Sequence, residues 1–205
     1  MGSSIDGSSF IPSSSPSFER SVPPREETGS ALFNETSQFY AWYLSWERSP
    51  SEHKETFSLL STIMQVAKVS LEGGLYLSKE SEEEATSHLQ TLGDRLMNGS
   101  YSTHEISGAI ESILSNLTEN NPKAKLIAKS TLLQYKMVMH QDAHPGEHLA
   151  ADYHEAMSRL TAKVTPSLGD LDAEKLSREL TKLINGNASP EVTLENLNEV
   201  LNHWP

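Results

Sequence analysis

Half of the histidines in the chain fall between residues 140 and 155, among several carboxylates. Imidazole and carboxylate groups are the side chains that a divalent metal ion or a general base requires. His144 and His148 are four residues apart, as are His148 and Asp152, and such pairs share one face of a continuous helix. These three residues are therefore candidate ligands for a divalent metal such as zinc. A Pro-Gly pair lies between the two histidines, so a pH-responsive cluster or a solvated turn are the alternative interpretations.

Aromatic residues are the second candidate group, because six of the fourteen fall between residues 33 and 46. Most of them follow one helical stripe, which is typical of a helix that faces the core. Tyr40 projects towards a different face, and tryptophan and tyrosine are frequent anchors at protein interfaces. The pattern predicts either a core helix or a partner-binding helix, and a membrane-surface role fits poorly because positive charge is sparse there. The predicted partner-binding residues are Phe39, Tyr40, Trp42, Tyr43 and Trp46.

The elements that position both groups are predicted to be helices. Asn121 and Ser189 each precede a proline, as a helix cap does, and residues 81–84 have the spacing of a capping box. The Asn-Gly pairs at 98–99 and 185–186 supply residues that take a positive φ where a helix ends. Apolar residues recur every three or four positions between these signals, and runs that alternate as a strand would are absent. Eight helices are predicted, near 32–48, 50–72, 79–98, 103–119, 122–143, 146–165, 172–185 and 190–203.

The fold class that follows is an all-α bundle of antiparallel helical hairpins. One internal echo favours an alternative, because the segment Arg95–Gly99 resembles Lys182–Gly186 and the apolar positions that follow match at the same offset. Recurring hairpins are typical of HEAT-like helical arrays. An antiparallel bundle, however, also repeats helix-turn-helix for ordinary packing reasons. We expect a bundle, with a short array as the alternative.

Residues 1–30 differ in composition from the rest, since they are dominated by serine and proline. Too little apolar surface is present to offset about 1–2 kcal/mol of backbone entropy per residue. The sequence therefore predicts a disordered N-terminal tail over 1–30 and a single helical domain over 31–205. A serine-rich leader without an apolar centre is not a cleaved secretory signal. We expect the protein to be cytoplasmic, or exported by a route that does not read such a signal.

The charge balance excludes some classes of partner. The formal net charge is −12, and no lysine–arginine cluster is present to neutralise phosphates, so nucleic-acid binding is not expected. No apolar run reaches the roughly 20 residues that a transmembrane helix needs. Phosphate-binding loops and nucleophile elbows are also absent. The sequence favours a non-enzymatic protein–protein interaction module, in its most specific form a bacterial secreted effector or secretion-system component. A metal-dependent enzyme or metal-binding regulator is the alternative.

Overall fold

A computed structural model of the protein describes residues 30–46, 53–73, 77–99, 103–143, 149–164 and 168–204. Within these ranges the secondary structure is helical, without a strand, and the predicted all-α class is confirmed. None of the described helices is long and apolar enough to span a membrane. The eight helices are α1 (Ala31–Trp46), α2 (Lys54–Gly73), α3 (Lys79–Met97), α4 (Thr103–Thr118), α5 (Pro122–Ala143), α6 (Ala150–Lys163), α7 (Asp170–Asn185) and α8 (Pro190–His203).

Side-chain caps account for several of the helix starts. The Asn121 side chain accepts a hydrogen bond from the amide of Ala124 at 3.0 Å, and the Ser189 hydroxyl accepts one from Val192 at 3.3 Å. Both predicted caps are therefore confirmed. The capping box predicted at residues 81–84 is wrong, because α3 begins one turn earlier. Its cap is Ser78, whose hydroxyl accepts a hydrogen bond from the backbone amide of Ser81 at 3.1 Å.

The two Asn-Gly pairs end their helices in different ways. Gly99 follows α3 with a φ of 70°, the left-handed conformation that glycine adopts without strain. Gly186 follows α7 with a φ of −76°, so the positive φ predicted at this second pair is wrong. The last carbonyl groups of α7 instead accept hydrogen bonds from the ammonium group of Lys136 in α5. The similar segments Arg95–Gly99 and Lys182–Gly186 therefore end their helices with different glycine conformations.

The chain divides into two compact units, of which the first contains α1 to α4. Helix α1 packs against α3, and the hydroxyl groups of Thr56 in α2 and Ser107 in α4 lie 2.6 Å apart. The side chains of this core are apolar and almost without exposed surface, which is the main source of its stability. They include Leu32, Phe39, Tyr43, Leu60, Ile63, Val66, Leu89, Ile106 and Ile110.

The second unit contains α5 to α8. Helix α5 packs against α7 and α6 against α8, so each helix contacts the next but one along the chain. An ion pair of 3.3 Å between Lys125 and Glu174 joins α5 to α7. Arg159 of α6 donates hydrogen bonds to two asparagine side chains of α8 and so joins these two helices. The buried core residues include Leu126, Leu133, Met137, Leu160, Leu176, Leu180, Leu197 and Leu201.

The predictions of the bundle, the tail and the single domain have different outcomes. The bundle of helical hairpins is confirmed, because the consecutive helices α5 and α6, and likewise α7 and α8, also pack against each other within the second unit. The tail predicted over residues 1–30 falls, apart from Ser30, outside the described residues. A single domain over residues 31–205 stays a prediction.

Candidate partner-binding surface of the first helix

Helix α1 differs from the other helices in its lack of charge. Ser30 caps its start, since the Ser30 hydroxyl accepts from the amide of Phe33 at 3.1 Å. Glu35 is the one charged residue among residues 31–46, and its side chain is buried. The Gln90 side chain of α3 donates a hydrogen bond to the Glu35 carboxylate at 3.2 Å, which partly compensates for its burial. The one charged side chain of α1 therefore points into the unit and not towards solvent.

Two of the five predicted partner-binding residues belong to the core. The side chains of Phe39 and Tyr43 have no exposed surface, and their rings stack with centroids 6.3 Å apart. The Tyr43 ring also packs against Phe57 of α2 at 5.3 Å. Its hydroxyl lies 2.8 Å from Nδ1 of His53, so the polar end of this buried ring is hydrogen-bonded. These two side chains fix α1 in the unit and offer no surface to a partner in this conformation.

Tyr40 and Trp42 lie at the boundary between core and solvent. Both are half-buried. The Tyr40 ring contacts Phe57 with centroids 5.0 Å apart, and the Trp42 ring meets Phe39 edge-on at 5.6 Å. Part of each ring packs against another aromatic ring of the unit, and the rest of it is exposed to solvent. Trp46 is the last residue of α1, and its side chain lies outside the part of the chain that is described.

The solvent face of α1 carries no charge. Its exposed residues between 37 and 45 are Ser37, Ala41, Leu44 and Ser45, which the helical rotation of 100° per residue places on one face. The side chain of Leu44 is 48% exposed. By the same rotation, Tyr40 borders this face on one side and Trp42 on the other. We call these four exposed residues and the two bordering aromatic rings the α1 face.

The α1 face is unusual within this protein. Each of the other seven described helices exposes at least one charged side chain, for example Lys54 in α2, Glu105 in α4 and Asp152 in α6. Sequence analysis singled out the aromatic residues of α1 but missed Ala41 and Leu44. The signal that was available is the absence of any charge over residues 36–46, in a stretch that also holds five of the six aromatic residues of this helix.

The predicted metal ligands are only partly within the described structure. His144 and His148 lie outside the described residues, so their geometry with Asp152 is not defined. Asp152 is an exposed residue in the first turn of α6. Among the residues that the structure describes, no group of three histidine or carboxylate side chains is arranged to hold a metal ion. Zinc binding at His144, His148 and Asp152 therefore stays a prediction.

Comparison of the chain with protein-family models, with curated proteins and with solved structures finds no match. The class of the protein consequently rests on its own fold and surfaces. It is an all-α protein whose described helices form two four-helix units, and its first helix exposes an uncharged face.

Proposed function

We propose that this protein is a non-enzymatic protein–protein interaction module, and that the α1 face binds an apolar helical surface of a partner. The observation that carries the proposal is the uncharged, partly apolar solvent face of a helix whose opposite side is held in the core by Phe39 and Tyr43. Charged residues are depleted at the centre of protein interfaces, whereas aromatic residues are enriched. The α1 face has both properties.

The energetics of binding favour such a surface. Covering a charged side chain removes it from water and costs free energy unless an opposite charge compensates. Covering the α1 face has no such cost, because its exposed residues are alanine, serine and leucine. Small residues also allow the axes of two helices to approach to about 8–10 Å. Leu44, with Tyr40 and Trp42 at the borders, supplies the apolar area that stabilises the contact.

A matched pair of variants tests the proposal. Leu44→Glu places a charge on the α1 face, and Leu71→Glu places the same charge on an exposed leucine of α2 in the same unit. The full chain and both variants serve as bait in cell lysate, and the captured proteins are quantified by mass spectrometry. We expect Leu44→Glu to lower recovery of the specific partner at least tenfold and Leu71→Glu to leave it unchanged. Equal recovery with both variants would exclude the α1 face as the binding surface.

We also propose that the protein is exported without a cleaved signal, as an effector or secretion-system component. This part of the proposal rests on the composition of residues 1–30, which are rich in serine and proline. Its test is a fusion of residues 1–30 to a reporter enzyme in a bacterium with a signal-independent secretion system. The control fuses the same residues in scrambled order. Reporter that stays in the cell pellet with both fusions contradicts the export role but leaves the binding role of α1 untouched.

A further inference from the structure

The two Asn-Gly pairs of the chain, at 98–99 and 185–186, have a chemistry of their own. The backbone nitrogen of the glycine can attack the amide carbon of the asparagine side chain. A new carbon–nitrogen bond closes a succinimide ring, the nitrogen gives up its proton through solvent, and the side-chain nitrogen leaves as ammonia. Water then opens the ring to aspartate or isoaspartate. Glycine favours the attack, because it has no Cβ to crowd the nitrogen and its backbone is free to rotate.

The nitrogen of the first pair is occupied. The amide of Gly99 donates a hydrogen bond to the carbonyl oxygen of Leu96 at 3.1 Å, and the amide of Asn98 donates one to Asp94 at 3.1 Å. The Gly99 nitrogen must break its bond before it can lose its proton and attack. The turn after α3 therefore protects Asn98, although both residues of the pair are exposed to solvent.

The nitrogen of the second pair is open. Within the part of the chain that the structure describes, the amide of Gly186 makes no well-aligned hydrogen bond, and both Asn185 and Gly186 are exposed. Gly186 has a φ of −76° and a ψ of 161°, so the chain turns away from the helical path directly after α7. Lys136 holds the carbonyl oxygen of Gly186 at 2.7 Å but leaves its nitrogen accessible. Solvent can therefore remove the amide proton.

The backbone conformation of the two asparagines also differs. Ring closure requires rotation about the Cα–C bond of the asparagine until the glycine nitrogen eclipses Cβ. For an L residue this eclipsed conformation lies at a ψ more negative than that of a helix, which is about −42°. Asn185 is the last residue of α7, whereas Asn98 lies beyond α3 with a ψ of 0°. Asn185 therefore needs the smaller rotation.

We propose that Asn185 of the folded protein deamidates spontaneously through a succinimide with Gly186, and that Asn98 is protected. Each event places a carboxylate at the end of α7, beside the carbonyl groups that Lys136 caps. In the isoaspartate product the main chain passes through the side-chain carbon, which lengthens it between Ile184 and Gly186 and changes the spacing of their carbonyl groups around Lys136. The site is separate from the α1 face and does not depend on partner binding.

Peptide mass spectrometry of the full chain tests the proposal. The folded protein is incubated at neutral pH in water enriched in heavy oxygen, and samples are digested after increasing times. Water that opens the succinimide leaves heavy oxygen in the product, so only conversion during the incubation is counted. The peptides that contain Asn98 and Asn185 are quantified from the same digest, and each site is the control for the other. A parallel sample is kept in denaturing urea.

We expect Asn185 of the folded protein to convert about fivefold faster than Asn98, the effect of one protecting hydrogen bond. In urea the two rates should be similar, since the local sequences of the pairs resemble each other. Asn185→Gln should remove the label from its peptide, which retains Asn187. Equal rates in the folded protein, or faster conversion of Asn98, would overturn the proposal. An unconverted Asn185 after a time in which the urea sample has reacted would also overturn it.

Discussion

The ammonium group of Lys136 donates a hydrogen bond of 2.7 Å to the carbonyl oxygen of Gly186, just beyond the end of α7. The same group donates to the carbonyl groups of Leu183 at 2.9 Å and Ile184 at 2.7 Å. The last carbonyl groups of a helix have no partner within the helix and carry its partial negative charge. Lys136 thus uses its three donors to cap a helix that lies about fifty residues further along the chain.

Replacement of Lys136 by methionine tests this cap. The variant keeps the length of the side chain but removes all three donors, so we expect it to lower the free energy of unfolding by about 1–3 kcal/mol. Burial lowers the pKa of Lys136, so the desolvation of its charge offsets part of the gain from these hydrogen bonds. The measurement is urea unfolding at neutral pH. Lys125→Met is the matched control, because it removes a partly buried ion pair near the surface and should cost about 1 kcal/mol or less. Equal losses for both variants would contradict the cap.

The two sides of α1 should respond differently to substitution. Phe39→Ala removes a fully buried ring, and we expect it to destabilise the unit by about 3–5 kcal/mol through lost burial and a cavity. Leu44→Glu changes an exposed side chain, and its effect on stability should stay within about 0.5 kcal/mol. Thermal unfolding followed by circular dichroism measures both. A large loss of stability in Leu44→Glu would show that the α1 face contributes to folding. Binding would then be measured with a second variant of this face, such as Ala41→Gln.

The carboxyl group of Glu82 provides a pH-dependent test. Burial raises the folded pKa of this group above the ordinary value of 4.5. A raised folded pKa means that the protonated group contributes stability below pH 4.5, and that this contribution is lost as the pH rises through the folded pKa. Glutamine does not titrate. Glu82→Gln should therefore raise the melting temperature at pH 7.

The gain from Glu82→Gln should shrink as the pH falls to 4 and below, since the original carboxyl group is then protonated as well. The matched control is Glu84→Gln, an exposed position on the same helix, measured at the same pH values. A gain that is constant from pH 3.5 to pH 7 would exclude desolvation of Glu82 as its cause.

The metal prediction is tested separately from the binding proposal. If His144, His148 and Asp152 hold zinc, protein purified without a chelator should contain about one zinc per chain by elemental analysis. His144→Ala with His148→Ala should abolish this content, while His88→Ala, an exposed residue of α3, should leave it unchanged. Zinc binding should also release protons, since imidazole binds the metal in its neutral form. Purified protein that neither retains nor rebinds zinc would remove the metal hypothesis.

Local signals were sufficient to predict most of the fold. The predicted starts of α3, α4, α5 and α8 coincide with those of the structure. At α5 and α8 the predicted caps account for this agreement, because a cap acts within a few residues. The cap of α3 is Ser78 and was not predicted. Helix α6 begins at Ala150 and not near residue 146, so its predicted start lies four residues too early. The candidate site was harder to predict. The aromatic stripe identified α1, but which of its rings face the core depends on where α2 and α3 pack.

The sequence by itself determined the all-α class and, to within four residues, the bounds of the helices in the described part of the chain, since these follow from hydrogen bonds and rotations between near neighbours. It also determined that α1 has almost no charge. Only the tertiary structure decided that Phe39 and Tyr43 are buried while Leu44 is exposed, and that α7 ends on Lys136 where α3 ends on a left-handed Gly99. Those outcomes depend on groups that lie far apart in the chain. A local sequence pattern does not indicate which distant donor will reach a given carbonyl group.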